Sequence, residues 1–203
     1  MTIITIISGV MLTSQTSFNR TLILANTAYD IALTLRYAET FGVSSRALGG
    51  SSTNVGYGLY FSHASPDSFI FFKDSSNNPG TCYPAPPSGD LNAPDAKRGN
   101  CVYDNNDVLV NNYKLGNSIT VTDFCIYVPT TSSWSCTADG LTALNIIFIR
   151  PDPNPWITAV DSGGTKSGTK ACLKVEAPGG TARYVSVVKS GAISANATNC
   201  PLP

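Results

Sequence analysis

The residues that could do chemistry in this chain are few. His63 is the single histidine, so a serine–histidine–carboxylate arrangement has one base to draw on. A lone histidine in a turn, here within Phe61–Pro66, is far more often solvent-facing than catalytic. The thirteen carboxylates could supply a glycoside-cleaving pair, but nothing in their spacing selects two of them. The sequence therefore predicts no catalytic residue and no enzyme.

Two polar segments have the composition of ligand-binding loops without meeting their requirements. Gly163–Lys170 is glycine-rich, yet Thr169-Lys170 replaces the Lys-Ser/Thr of a phosphate loop and no long helix follows. A flexible turn is predicted there. Asp104–Asp107 offers four oxygen-bearing side chains, which Ca²⁺ favours, but it lacks the glycine and glutamate of an EF-hand, and a turn is again favoured. No metal and no cofactor are predicted.

The cysteines indicate disulfide bonds. They are six in number, without a Cys-x-x-Cys pair, and with a single histidine they make a poor zinc ligand set. In a chain of low charge they indicate an oxidising, extracytoplasmic compartment. Of fifteen connectivities we predict sequential pairing, in which the bonds close a proline-rich loop, bracket a compact turn and anchor the C-terminal tail: Cys82–Cys101, Cys125–Cys136 and Cys172–Cys200.

The charge balance argues against a general polyanion partner. Thirteen basic residues balance thirteen acidic ones in 203 residues, so no overall field holds nucleic acid. Charged residues are only 13% of the chain, against about 25% in an ordinary soluble domain. A local excess of three positive charges follows residue 160, where Asp161 and Glu176 face five cations that a solvated surface explains equally well. These candidate nucleic-acid contacts are Lys166, Lys170, Lys174, Arg183 and Lys189.

The N-terminal part of the chain predicts a long helix. No proline precedes Pro66 and no charged residue precedes Arg20. Met1–Leu12 would rise only about 18 Å as a helix, which is too short to span a bilayer. It is half a membrane anchor, a signal-peptide core without the usual basic region, or a packing surface for other helices. The apolar residues occupy every side of the helix: Ile3, Ile4, Ile6, Ile7, Val10, Met11 and Leu12.

The helix becomes amphipathic farther along. Five apolar residues recur at spacings of four, three, four and three, which is one helical stripe: Leu24, Ala28, Ile31, Leu35 and Ala38. Gly42 stands where a left-handed C-cap would end the helix near Phe41. We call these five residues the core stripe, because they are predicted to pack on the rest of the protein.

Beyond the helix the hydrophobic period changes to two, which indicates β-strands. A long surface loop is predicted over Ser75–Asn100, and eight strands surround it: Gly56–Phe61, Ser68–Lys73, Asp107–Tyr113, Ser118–Val128, Ala143–Arg150, Trp156–Val160, Ala171–Glu176 and Tyr184–Lys189. The predicted fold class is α+β, a long N-terminal helix whose C-terminal half packs on an antiparallel sheet. The predicted division is a helix at 1–42, with an apolar half at 1–19 and an amphipathic half at 20–42, and a disulfide-bonded head at 43–203.

Several segments carry a family resemblance in their order along the chain. After the apolar helix come Ala28–Val43, Tyr57–Phe61, Phe69–Phe72, Phe148–Pro153 and Ser190–Ser194. In this order the chain resembles type IV pilin-like proteins, and is most similar to the H-type minor pseudopilins of type II secretion. The resemblance implies a filament subunit whose apolar helix packs with copies of itself and with other pilin-like subunits. It also implies insertion in the cytoplasmic membrane before assembly, and a final place at the cell surface.

The resemblance departs from the family at the start of the chain. The family's leader with its Gly-Phe junction, and the glutamate at the fifth mature position, have no counterpart here. Leader cleavage and membrane extraction are therefore expectations from the family alone. Two other functions stay open: a DNA-binding minor pilin that uses the five cations, and a secreted adhesin or carbohydrate-binding domain. In the last, aromatic side chains would stack on sugar, among them Tyr83, Trp134 and Trp156.

Overall fold

The computed structural model describes residues 2–44, 55–75, 99–150, 152–197 and 199–200, with helix side chains from Asn19 onward. Helix α1 covers Thr2–Ser44, about 64 Å at 1.5 Å per residue. Eleven strands follow in the described residues: β1 Gly56–Ser62, β2 Ser68–Asp74, β3 Val108–Lys114, β4 Thr120–Val128, β5 Ser133–Cys136, β6 Ala143–Ile149, β7 Asp152–Asp161, β8 Gly164–Gly168, β9 Lys170–Glu176, β10 Ala182–Val188 and β11 Ile193–Ala197.

The strands form two antiparallel sheets. The first has six strands in the order β3-β2-β1-β6-β7-β8, and the second has five in the order β11-β10-β9-β4-β5. The chain passes from one sheet to the other at Thr169, between β8 and β9. There the backbone nitrogen of Thr169 donates to the carbonyl of Tyr127 (3.0 Å), and the Thr169 carbonyl accepts from the nitrogen of Lys189 (2.8 Å). This is one of three crossings, since the chain also changes sheet between β3 and β4 and between β5 and β6.

The predicted fold class is wrong. The protein is mainly β, with two antiparallel sheets, and is not an α+β fold in which a long helix packs on one sheet. The described side chains of α1 contact strands of both sheets, namely β1, β6 and β7 of the first and β9, β10 and β11 of the second. Alternating hydrophobicity shows which face of a strand is buried but not which strand lies beside it, so the division into two sheets was not predicted.

One hydrophobic core lies between the two sheets and α1. All five residues of the core stripe are fully buried in it. Aromatic rings from three elements meet at its centre, with Phe41 in edge contact with Tyr57 (5.6 Å between centroids) and with Phe71 (5.8 Å). Successive side chains along a strand point to opposite faces of its sheet. The residues of β1 and β2 that alternate with the core residues therefore point to the other face of the six-stranded sheet.

The helix does not end where the sequence predicted. It continues through Gly42 to Ser44, so Gly42 is not a left-handed C-cap. Its role is close packing, since a Cβ at this position would lie 2.3 Å from the carbonyl oxygen of Phe148 on β6. A larger residue would force α1 away from the six-stranded sheet.

A second, smaller cluster covers the other face of the six-stranded sheet. Its buried members are Phe72, Cys101, Ile147 and Ile149, with Tyr60, Ile70, Tyr103 and Trp156 packed against them. The segment Gly99–Asp107 lies over this face. The carboxylate of Asp74 holds it there by accepting hydrogen bonds from the backbone nitrogens of Asn100 (2.9 Å) and Cys101 (2.8 Å).

Candidate assembly surface

Helix α1 carries a second apolar stripe that the sheets do not cover. Its members lie on the side opposite the core stripe, at spacings of seven, four and four residues. Their exposed fractions are large: Leu22 51%, Tyr29 54%, Leu33 64% and Tyr37 48%. We call these four residues the outer stripe. Large apolar side chains grouped on one exposed helix face are typical of an interaction surface.

A groove runs beside the outer stripe, between α1 and the end of β3. Its volume is about 620 Å³. Leu33 and Tyr37 form its helix wall, and Phe69, Tyr113 and Leu115 are among the residues on its sheet side. The rings of Phe69 and Tyr113 are stacked with their centroids 5.0 Å apart, so they form one apolar surface on that side of the groove. The groove thus extends the exposed apolar area of α1 onto the edge of the six-stranded sheet.

Charges near the outer stripe are few and partly paired. Arg36 and Glu39, one turn apart on α1, form an ion pair at 3.6 Å. Asp30 and Lys114, of opposite sign, both line the groove. A partner that buries this surface would therefore meet little uncompensated charge.

The predicted assembly residues belong to the first half of the same helix. The backbone from Ile3 to Leu12 is helical, while the side chains of these residues lie outside the described part of the structure. Among the residues that the structure describes, no helix combines the length and the hydropathy that a membrane-spanning segment requires. The packing role of this half, which carries no charge before Arg20, therefore stays a prediction from its sequence.

The outer stripe was missed in the sequence. Its spacings of seven, four and four also fit the helical period, but one buried face was enough to explain the helix. A second set of large apolar residues at helical spacing, Leu22, Tyr29, Leu33 and Tyr37, is the signal that could have revealed it.

Two of the three predicted disulfide bonds are present. Cys125 and Cys136 are joined across the hairpin of β4 and β5, and Cys172 on β9 is joined to Cys200. Cys101 is also disulfide-bonded, and its predicted partner Cys82 lies outside the described residues. Asp123 lies near Cys125 and Cys136, with ligand atoms within 4.8 Å of one another. Because these two sulfurs are bonded to each other, they offer no thiolate to a metal.

The five predicted nucleic-acid contacts are spread over both sheets, and two of them are paired with carboxylates. Lys166 pairs with Asp161 at 2.6 Å, and Lys174 pairs with Glu176 at 2.7 Å. Lys166 lies on β8 of the six-stranded sheet. Lys170, Lys174 and Arg183 lie on β9 and β10 of the five-stranded sheet, and Lys189 follows β10. The two acidic residues of the segment thus neutralise two of its five cations.

These ion pairs shift the pKa values of three groups. The Lys166 ammonium, by its hydrogen bond, lowers the pKa of Asp161 below its usual value, and the backbone nitrogen of Gly163 adds to the effect. Lys174 lowers the pKa of Glu176, helped by the hydroxyl of Thr122. Glu176 in turn raises the pKa of Lys174. All of these pairs are partly exposed, so each is a modest contributor to stability.

The residues considered for chemistry are placed as follows. His63 is exposed on the turn between β1 and β2, and no carboxylate is among the described residues lining the cavity beside it. Asp104 and Asp107 accept backbone hydrogen bonds, Asp104 from Asn106 (2.7 Å) and Asp107 from Asp104 (2.9 Å). That is the geometry of a turn. Gly163–Lys170, predicted as a flexible turn, instead contains strand β8.

The predicted sugar-stacking aromatics are separated in the fold. Trp134 lies on β5, with its ring 5.7 Å from that of Tyr127. Trp156 lies on β7 in the cluster over the six-stranded sheet, and Tyr83 is outside the described residues. The two tryptophans therefore lie on different sheets.

No family model matches the chain, and neither the characterised proteins nor the solved structures contain one with significant similarity to it.

Proposed function

We propose that this chain is a structural subunit of an extracellular filament of the type IV pilus or pseudopilus kind, assembled through helix α1. The observation that carries the proposal is that α1 has two apolar stripes on opposite faces and the sheets cover only one. The core stripe fixes the helix to its own sheets. The outer stripe and the uncharged first half of the helix are then available to neighbouring subunits.

The energetics favour burial of the outer stripe between copies. About half of each of its four side chains is exposed. Removing that surface from water would stabilise an assembly by roughly 1 kcal/mol per residue, at about 25 cal/mol per Å². The apolar residues from Ile3 to Leu12 would add to this, since no single core can bury a helix that is apolar on every side.

The covalent chemistry agrees with a place outside the cytoplasm. Disulfide bonds persist in oxidising compartments, and every cysteine in the described part of the chain is disulfide-bonded. Membrane insertion before assembly, other pilin-like partners and the absence of an enzymatic activity stay predictions. The nucleic-acid alternative has less support, because two of its five cations are neutralised by carboxylates.

Sedimentation and negative-stain microscopy of the full chain in detergent-free buffer test the proposal. The full chain is expected to form filaments or large assemblies. Leu33→Glu, which places a charge in the outer stripe, should sediment as a folded monomer. Leu109→Glu is the matched control, because Leu109 on β3 is similarly exposed at 52% but lies outside the outer stripe.

Two further outcomes decide the matter. A shortened chain that begins at Phe18 retains both stripes but lacks the apolar first half of α1. Because the proposed assembly needs this half as well as the outer stripe, the shortened chain is expected to be folded and monomeric. If the full chain is monomeric at every concentration, or if Leu33→Glu assembles as well as Leu109→Glu, the proposal is wrong.

A further inference from the structure

A second cavity lies on the opposite side of the six-stranded sheet from α1. Its volume is about 370 Å³, within the range of small-molecule sites. It opens between the turn that carries His63 and the segment at Val102 and Tyr103. Nothing in the assembly proposal uses this face of the sheet.

Two tyrosines form an aromatic corner in the cavity lining. The rings of Tyr60 and Tyr103 are 4.9 Å apart and inclined at 42°. Phe72 supports Tyr103 from the cluster behind it, at 5.1 Å in an edge contact. The backbone nitrogen of Tyr103 is held by the side-chain oxygen of Asn145 (3.0 Å). Tyr60 thus lies on β1, and Tyr103 lies on the Gly99–Asp107 segment, which these contacts fix against the sheet.

The same Asn145 has an unused donor. It is fully buried, and its side-chain nitrogen has no hydrogen-bond partner among the described residues. Asn145 is the register partner of Tyr60 and bonds Tyr103, so it lies directly against two residues of the cavity lining. Because Asn145 is buried behind the cavity and does not line it, its role is to fix the backbone of Tyr103 against β6 rather than to contact a ligand.

The charge of the lining limits what the cavity can bind. Its described residues include hydroxyl groups, His63 and apolar side chains, but no Lys, Arg, Asp or Glu. An anionic ligand such as a nucleotide would lose water around its phosphate without meeting a fixed cation. The cavity instead suits a neutral ring that has an apolar face for the tyrosines and hydroxyls for the polar groups.

We propose that the cavity between His63 and Tyr103 is a binding site for one uncharged sugar ring of a glycan. The tyrosine rings contact the C–H face of the sugar by dispersion and by the attraction of the ring face for polarised hydrogens. His63, the tyrosine hydroxyls and the hydroxyls of Ser62 and Thr142, all on residues that line the cavity, supply hydrogen bonds to sugar hydroxyls. Because the cavity and α1 lie on opposite faces of the sheet, a subunit can be assembled and bind glycan at once.

Saturation-transfer NMR on the full chain tests the site. The probes are the methyl glycosides of glucose, mannose, galactose and N-acetylglucosamine, with AMP as the anionic ring compound. At least one glycoside is expected to bind. His63→Ala, in an exposed turn, and Tyr60→Phe, which keeps the ring, should each weaken its binding about five- to tenfold, the effect of one lost hydrogen bond.

Tyr184→Phe, the same change on β10 of the five-stranded sheet, is the matched control and should leave binding unchanged. Absence of binding by all four glycosides, binding that neither cavity variant weakens, or tighter binding of AMP would each overturn the proposal. Assembly of the filament is read separately by sedimentation, so failure at this site would not bear on the role of α1.

Discussion

The backbone nitrogen of Cys101 donates a 2.8 Å hydrogen bond to the carboxylate of Asp74, and both residues are fully buried. This contact fastens the segment after Gly99 to the end of β2. Gly99 makes it possible, because its φ is +91° and a Cβ there would lie 2.0 Å from the Asp74 carboxylate. Neither feature could be read from the sequence, where Gly99 is one of seventeen glycines.

We predict that Gly99→Ala destabilises the protein by at least about 2 kcal/mol. Two costs add, since a left-handed backbone costs a non-glycine residue about 1–2 kcal/mol and the steric overlap with Asp74 adds to it. Gly140→Ala is the matched control, because Gly140 also has a positive φ (+95°) but nothing lies within 4 Å of an added Cβ. Urea unfolding measures both variants. Equal losses would show that the contact with Asp74 is unimportant.

We predict that Leu33 and Leu35, two positions apart on α1, respond very differently to truncation. Leu35→Ala should cost about 2–5 kcal/mol, because Leu35 is fully buried and the change leaves a cavity. Leu33→Ala should change stability by less than about 0.5 kcal/mol, because Leu33 is 64% exposed. Thermal or urea unfolding compares the two. A large loss of stability in Leu33→Ala would show that the sheets pack on the face of α1 that carries Leu33, which contradicts the assignment of the core stripe.

The amphipathic half of α1 was predictable because its buried face repeats with the helical period. Leu24, Ile31 and Leu35 lie on one side by geometry alone, whatever packs against them. The end of the helix was not predictable in the same way. Gly42 has the residue type of a C-cap, but its neighbour in space, Phe148, is 106 positions away in the sequence (148 minus 42).

The strands show the same limit. β1, β4 and β6 carry long apolar runs that indicate strands directly, but β8 has the sequence GTKSG, without an apolar side chain. It is a strand because it pairs with β7, where Thr165 lies opposite Val160 and Lys166 opposite Ala159. That pairing is a local hairpin, but β8 was missed because its own side chains show no hydrophobic alternation. The two-sheet arrangement was missed because it depends on which distant strands lie side by side. The outer stripe was present in the sequence and needed only a second search at helical spacing.

We predict that Glu176 makes the protein more stable at neutral pH than in acid. Lys174 lowers the pKa of Glu176 in the folded state, below about 4.3 for an unfolded glutamate. The stabilisation is therefore full above the unfolded pKa and is lost as pH falls through the folded pKa. Because the pair is partly exposed, the loss between pH 7 and pH 3 should be under about 1 kcal/mol.

Urea midpoints at pH 7 and pH 3 measure this loss, with Glu176→Gln for comparison. The variant should lose less stability on acidification than the natural chain. Asp161→Asn provides the parallel case at the Lys166 pair, where the pKa of the carboxyl is also lowered. An unchanged difference between the two pH values in Glu176→Gln would contradict the role given to Lys174.

The last prediction follows from the register around Cys125. On one side Cys125 lies opposite its disulfide partner Cys136 on β5, and on the other side it lies opposite Cys172 on β9. Residues directly opposite in antiparallel strands have Cα atoms about 4.5–5.5 Å apart, a separation that a disulfide accepts. Cys125 therefore has two cysteines within bonding distance, and in the natural chain it is bonded to Cys136.

In Cys136→Ser we expect Cys125 to exchange with the neighbouring bond. Its thiolate attacks the sulfur of Cys172, a Cys125–Cys172 bond forms, and Cys200 leaves as the new thiolate. One disulfide and one thiol are present before and after, so no oxidant is needed. Non-reducing peptide mapping at mildly alkaline pH should find peptides of Cys125 and Cys172 linked, with Cys200 open to alkylation. The double variant Cys125→Ser/Cys136→Ser should keep Cys172–Cys200. If Cys136→Ser retains that bond completely and Cys125 alone is alkylated, the register does not bring the two strands' sulfurs within reach of each other.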